Sequence, residues 1–405
     1  MDTITHGIAG ALLGKALFGG EDLLLLPKAA EHGPRMTASR IVTAAATLGA
    51  VFPDSDIVRD IVSRNDLLIL TWHRSVTHSF LCLPAFAFGF AWLTQSVARK
   101  FKWECSSFAQ LALVYAAGLG SHIFLDLLNN FGTMVWSPLE WTRPAWDLIF
   151  IIDFTLTAVL LLPQSLARLY EQGEKLAQRA LRLWLLYSVA AIVVAGLLQI
   201  AGYPLSVASV IGVIAVLAAL IFLPILGDWG SRLSRADWCR AGLAAAVLYI
   251  AAAGVAHHTA LNRVQQFALL ERLEVESLAA MPLPPSLWHW DGLIRTSRGV
   301  YELRMNLAQR AAAGASPEAA IEYGYYPDAL DNPFIEEARQ LPQVKTVLWF
   351  ARFPVTRFRR DAEASIVEIV DLRFLTARSG QRPAFTYRVR FDGSGRVLSL
   401  GWARR

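Results

Sequence analysis

Four short stretches place histidine and aspartate where the flanking sequence is apolar. "MDTITHG" sets Asp2 four residues before His6, and "FPDSD" sets Asp54 and Asp56 behind a proline. "HRSVTHS" supplies His73, Arg74 and His78, and "HIFLD" puts His122 and Asp126 four apart. On a helix that last spacing places both side chains on one face. Imidazole and carboxylate donors suit zinc, and mixed nitrogen and oxygen sets also suit manganese or iron. Ionisable groups inside apolar segments are costly and usually mark function. The chemistry these residue types offer together is hydrolysis assisted by a divalent metal. The candidate ligands are His6, Asp54, His73 or His78, His122 and Asp126. Asp54 or Asp56 could instead act as a general base. Arg74 is the candidate for holding an anionic group, because a guanidinium fork fits phosphate oxygens. Thr5, Thr77 and Ser79 are placed to orient ligand side chains. Each pair taken singly also has a structural reading, as a helix-surface hydrogen bond.

The elements that must position these groups are membrane helices. The chain has 405 residues, is 55% hydrophobic and is only 18% charged. Soluble domains carry about 25% charged residues. Crossing a bilayer takes about 20 apolar residues in a helix. Six stretches reach or approach that length: 78–98, 107–128, 147–163, 183–201, 205–227 and 241–256. Two shorter ones, 4–18 and 41–52, precede them, and these either span with help from neighbours or only dip into the membrane. The predicted architecture is an α-helical membrane protein of about six to eight membrane helices with a small C-terminal α+β domain. The three cysteines, Cys82, Cys105 and Cys239, are scattered and suggest neither a disulfide framework nor a thiolate site. No cleavable signal peptide is expected at the N-terminus.

Lysine and arginine gather in cytoplasmic loops. If all eight segments cross, one set of loops holds Lys15, Lys28, Arg35, Arg40, Arg99, Lys100, Lys102, Arg168, Lys175, Arg179, Arg182, Arg232, Arg235 and Arg240. The other set holds only Arg59, Arg64, Arg74 and Arg143. The asymmetry predicts both termini outside the cytoplasm. It also accounts for the net charge of +5 without nucleic acid. On this topology all four His/Asp stretches lie at one depth, near the outer surface. His32 falls in a cytoplasmic loop and reads as solvated. His257 and His258 end the last segment, and His289 sits among tryptophans, so these three read as structural.

The metal-site stretches belong to a region spanning 1–163, with further membrane helices over 164–258. Beyond it, residues 259–405 hold no membrane-length apolar run. "GVYELRMNL", "KTVLWFARF", "ASIVEIVDLRF" and "AFTYRVRFDGSGRVLSLGWA" are rich in β-branched and aromatic residues, and "DGSG" reads as a hairpin turn. A helix is expected near 329–340, and "MPLPPS" marks the entrance to this outer domain.

In combination and order, "MDTITHGIAGALLG", "FPDSD", "HRSVTHS" and "SHIFLDLLNNFGTMVWSP" resemble the YdjM-like family of inner-membrane-associated metal-dependent hydrolases, also described as LexA-binding. The motifs cover about the first 140 residues. The ligand order His6, Asp54, His73 or His78, then His122 with Asp126 also resembles zinc-dependent phospholipase C and P1-type nucleases. Those enzymes are helical and cut phosphoesters with clustered zinc ions. The chain departs from them downstream, since no histidine lies between His122 and His257. One or two metals therefore fit better than three. The resemblance implies phosphoester hydrolysis, and the interfacial position of "TWHRSVTHS" suggests a phospholipid or lipid-linked substrate. Nothing in the residues speaks for LexA binding. Asp147 and Asp153 are further outer-side acids, with Asp153 either lining the site or serving as a cap. A proton-coupled transporter and a non-catalytic scaffold remain alternatives. Transport needs ionisable groups along a path, and 183–201 and 205–227 contain none.

Overall fold

The computed structural model describes residues 1–22, 36–63, 65–171, 175–308, 321–329, 332–361, 364–374 and 385–403. Lys28, His32, Arg35 and Arg64 lie outside the described residues. In chain order the helices begin with α1 (Thr3–Leu17) and α2 (Ala38–Val51), followed by a 3-10 turn over Phe52–Asp56. The short helices α3 (Ile57–Ser63) and α4 (Leu68–Thr71) come next. Then follow α5 (Leu83–Phe101), α6 (Phe108–Leu127), α7 (Phe154–Glu171), α8 (Leu176–Ala201), α9 (Val207–Leu226) and α10 (Arg235–Leu270). The chain divides into two compact units. The first comprises Met1–Ser55, Arg74–Trp146 and Ile151–Ala251, and the second Asp56–His73, Asp147–Phe150 and Ala252–Arg405.

Five helical stretches among the described residues are long and apolar enough to cross a membrane: Ala38–Arg59, α6, α8, α9 and α10. The pair Leu68–His78 and Leu83–Phe101, bent by 67°, makes a sixth if it counts as one span. Two expected segments fall short. α1 has 15 residues, below the roughly 20 that a crossing takes. The run expected at 147–163 becomes helical only at Phe154, and its helix carries Pro163 inside and Arg168 in the last turn. α8 and α9 leave Leu186, Ile192, Ile211 and Val216 exposed. Such apolar faces are what acyl chains cover in a spanning helix.

The site-bearing part of the first unit is held by close helix contacts at small residues. A Cβ on Gly10 of α1 would stand 2.5 Å from the Ala46 carbonyl oxygen of α2, and a Cβ on Gly118 of α6 would stand 2.5 Å from the same oxygen. Side chains of any size at either position would push the helices apart, which is why small residues dominate such crossings. Around this point Ile41, Ala45, Ala91, Leu111, Val114 and Leu119 form a buried apolar cluster.

The second unit contains the end of α10 and two four-stranded antiparallel sheets. The first runs β1 (Ser277–Leu283), β2 (His289–Thr296), β3 (Gly299–Asn306), β4 (Glu322–Pro327), in that spatial order. Helices α11 (Pro333–Gln340) and α12 (Pro342–Phe350) follow. The second sheet runs β5 (Pro354–Arg360), β6 (Ser365–Asp371), β7 (Thr386–Phe391), β8 (Val397–Trp402), again in order. One face of the first sheet packs Trp290, Ile294, Leu303 and Met305 on Ala260, Val264 and Phe267 of α10. Its other face meets the second sheet through Ala279, Leu293 and Val300 against Val355 and Val370.

The "DGSG" turn closes the β7–β8 hairpin, with Asp392 Oδ1 accepting from the Ser394 and Arg396 amides at 2.8 and 3.0 Å. Two expectations change. "KTVLWF" is helical, in α12, because Pro342 starts a helix and Val344, Val347 and Phe350 recur at helical spacing on its buried side. "MPL" belongs to β1 and is not a linker: the domain's first strand begins at Ser277.

Candidate metal centre

Gly10, Ala46 and Gly118 set the register of three helices, and the chemistry sits one turn away on each. His6 is four residues before Gly10, Ala50 four after Ala46, and His122 four after Gly118. Residues four apart on a helix share a face. The His6 and His122 rings accordingly stack, with centroids 3.6 Å apart. The Ala50 carbonyl oxygen lies 2.6 Å from His122 Nδ1. A carbonyl can only accept, so Nδ1 carries the proton and Nε2 presents its lone pair.

Asp54 arrives on the 3-10 turn after α2, and His78 on a short 3-10 turn, Val76–His78, before α5. Asp126 follows His122 by four residues on α6. Together Asp54, His78, His122 and Asp126 each offer one donor atom, all within 4.8 Å of one another. The separations are even. His78 Nε2 lies 3.0 Å from His122 Nε2, 3.3 Å from Asp126 Oδ2 and 3.7 Å from Asp54 Oδ1. His122 Nε2 lies 3.5 Å from Asp54 Oδ1 and 3.6 Å from Asp126 Oδ2. Donors about 2.0–2.1 Å from one tetrahedral zinc stand about 3.3–3.4 Å from each other. Five of the six edges scatter around that length and the sixth, Asp54 to Asp126, lies within 4.8 Å, so the donors can close on a single ion as a distorted tetrahedron. Two neutral imidazoles and two carboxylates also balance a divalent charge.

A second layer holds the donors in place. Arg74 is buried, its backbone is left-handed at φ 62°, and its Nε lies 3.0 Å from Asp126 Oδ2. Arg74 Nη1 donates to Asn129 Oδ1 at 2.9 Å, and its carbonyl accepts from the Met134 amide. The Thr3 hydroxyl donates to Asp54 Oδ2 at 2.5 Å. Thr77 Oγ1 stands 3.0 Å from His78 Nδ1. Ser79 donates to the carbonyls of Ser137 and Val135, tying the His78 segment to the loop after α6. The site's side chains are fully buried apart from Asp54, which is 8% exposed. Asp54, with exposed Thr3 beside it, therefore marks the mouth.

The remaining candidates have other surroundings. His6 Nε2 lies 3.2 Å from Asp126 Oδ1, and the buried Met1 ammonium contacts the same oxygen, but neither belongs to the four-donor set. His73 Nδ1 pairs with Asp56 Oδ1 at 2.8 Å, in the second unit, and both residues stand outside the set. Asp2 caps α1, accepting from the Thr5 amide and hydroxyl. Thr5 Oγ1 also meets Thr157 Oγ1 at 2.7 Å, a place on α7 away from the donors' own hydrogen bonds. Asp153 caps α7 through the Thr155 and Leu156 amides and accepts from Tyr249 at 2.7 Å, so its role is the cap. Asp147 pairs with Arg352 at 2.9 Å. Asp22 is buried and ion-paired with Lys15, whose Nζ also donates to Gln164. Sequence reasoning missed Thr3 and Asn129. Both lie inside the quoted motifs, and Asn129 follows Asp126 by three residues, close enough to share its face.

The fold and this group of donors define a multi-pass helical membrane protein with a buried His/Asp cluster able to hold a metal ion. Residues 1–202 match the model of the family described as YdjM inner membrane protein. No curated protein and no solved structure matches the chain, so the likeness to phospholipase C and P1-type nucleases has no match behind it.

Proposed function

We propose that this protein is a membrane-embedded, metal-dependent hydrolase acting on a phosphoester of a phospholipid or lipid-linked substrate. The observation that carries the proposal is the distorted tetrahedral spacing of Asp54, His78, His122 and Asp126 inside a helical membrane unit. Zinc is the ion that two imidazoles and two carboxylates favour, with manganese or iron as the other candidates. A divalent ion held there would supply Lewis acidity, and would supply an acidified water for attack on a phosphoryl group on taking a fifth ligand beside the four side chains. His122 is locked in the ligand tautomer by Ala50, and Asp54 is oriented by Thr3 at the mouth. Arg74 acts on Asp126: at 3.0 Å it fixes the carboxylate and offsets its charge in a buried setting. The sequence suggested a substrate clamp, and this contact gives Arg74 a part in holding the carboxylate as well.

Turnover of a lipid-linked phosphate panel, with wild type beside Asp126→Asn, tests this reading. Asparagine keeps the shape and loses the charge that holds a divalent ion. The expected loss is at least about 100-fold, above the 10–100-fold typical of residues that merely support a ligand. Equal turnover by the variant, or no metal-dependent turnover on any phosphoester, would remove the hydrolase.

A further inference from the structure

The second sheet carries arginines at alternate positions of two strands. Successive side chains of a strand point to opposite faces, so Arg357 and Arg359 of β5 share a face with Arg388 and Arg390 of β7. The register aligns them in two rows: Arg357, Glu368, Arg388 and Arg359, Ile366, Arg390. Further along the same face, Val355 and Val370 are buried against the first sheet. The arginine end is different. Arg359 is exposed, and Arg357 and Arg390 are partly exposed.

One of the four charges is used internally. Arg388 donates to Glu368 from Nε at 2.8 Å and from Nη2 at 2.6 Å. Arg357 lies over the Tyr326 ring, 5.7 Å from its centroid. That contact orients the guanidinium and leaves its charge in place. Neither Arg359 nor Arg390 meets a carboxylate among the described residues, and Arg390 Nε is buried without an acceptor. On β8 the neighbours on this face are Ser399 and Gly401, which bring no negative charge. Four guanidiniums thus share this face with one carboxylate, Glu368, among the described residues. The face carries an excess of positive charge around Ile366, which an anion from outside would offset.

The residue type narrows the ligand. All the cations are arginine, whose planar fork matches phosphate oxygens. Strands two apart in a sheet are about 9.5 Å apart, a gap that long arginine side chains can close around one phosphate. The chain itself names the source. The domain begins within α10 itself, whose residues from Ala252 onward belong to the second unit, so this domain is covalently tethered to a surface of lipid phosphates. We propose that the face formed by Arg357, Arg359 and Arg390 binds the phosphate of anionic phospholipid headgroups.

Hydrogen exchange of the full-length protein in lipid nanodiscs tests the assignment. The discs contain phosphatidylcholine alone or with added phosphatidylglycerol. Strands 354–360 and 386–391 should exchange several-fold more slowly in the anionic discs, and high salt should remove the difference. Arg359→Gln and Arg359→Gln/Arg390→Gln should abolish it while β1–β3 exchange as in wild type. Arg359 is exposed, so the single variant carries the test if the double variant unfolds. Equal exchange in both discs would overturn the proposal, as would protection that survives Arg359→Gln. Protection in neutral discs on adding inorganic phosphate would also overturn it, in favour of a soluble anion.

Discussion

His78 Nε2 and His122 Nε2 face each other at 3.0 Å, in the interior of the helical unit. Proton placement makes the contact informative. His122 spends its Nδ1 proton on Ala50, so its Nε2 offers a lone pair. Two acidic oxygens complete the arrangement, Asp54 Oδ1 and Asp126 Oδ2, at 3.3–3.7 Å from His78. Acceptors gathered around one point repel each other unless a cation lies between them.

Arg74 gives a test of how Asp126 is held. Its 3.0 Å contact predicts that Arg74→Gln weakens metal affinity by about 10–100-fold, the usual cost of losing a ligand's support. Asn129→Ala should move affinity in the same direction by less, because its own reach to Asp126 is a long 3.5 Å. Competitive titration against a zinc chelator measures both. Unchanged affinity in Arg74→Gln would leave Arg74 only the role of a substrate clamp.

Helix packing gives a second test, remote from any donor. The Cβ of Gly118→Ala would meet the Ala46 carbonyl oxygen at 2.5 Å, a backbone atom that cannot swing away. Overpacking of this kind costs about 1–3 kcal/mol. The displacement would carry His122 away from Ala50, so metal content should fall with melting temperature. Gly89→Ala has open space around its Cβ and serves as the comparison. Equal stability and metal content in the two variants would dismiss this contact as the device that sets register.

The sheet domain gives a pH test. Asp291 is buried on β2, and burial first, then the neighbouring Glu302 charge, raise its carboxyl well above the ordinary value of 3.8, with Arg304 pulling the other way. Glu302 itself accepts from Tyr326 and Arg304, while Asp291 Oδ1 has no hydrogen-bond partner among the described residues. A raised folded pKa means that the native state holds the proton more tightly than the unfolded chain. Stability is then fully present near pH 4 and declines as pH rises through the folded pKa. Asp291→Asn removes this dependence. The melting-temperature difference between variant and wild type should grow in the variant's favour from pH 4 to pH 8, whereas a constant offset would contradict the assignment.

Orientation is a proposal drawn from loop charge. We infer that the sheet domain lies outside the cytoplasm, because lysine and arginine crowd the opposite loops when α1 and α7 cross along with the longer helices. A reporter fused after Arg405 should show extracytoplasmic activity, and cytoplasmic activity would reverse the orientation and the side on which substrate enters.

Much of this was legible in the sequence because it depends on period. HIFLD places His122 and Asp126 on one helix face whatever surrounds them, and the alternation in "TYRVRF" makes a strand. The choice between His73 and His78 was not legible. It turns on Arg74, whose φ of 62° redirects the chain between them. Lys15 looked like a loop cation, and only packing buries it against Asp22. "KTVLWF" misled because its β-branched and aromatic residues fit either element, and Pro342 decided for the helix. Thr3 and Asn129 are small polar residues whose roles appear only when distant segments meet.

The central claim is that four side chains hold one divalent ion. Elemental analysis of purified protein, wild type beside His122→Ala and Asp126→Asn, tests it most directly. The account predicts about one equivalent of zinc, manganese or iron in wild type, and strong depletion in both variants at preserved helical content. Wild-type protein that stays metal-free after incubation with each ion, or variants that retain the full complement, would contradict it.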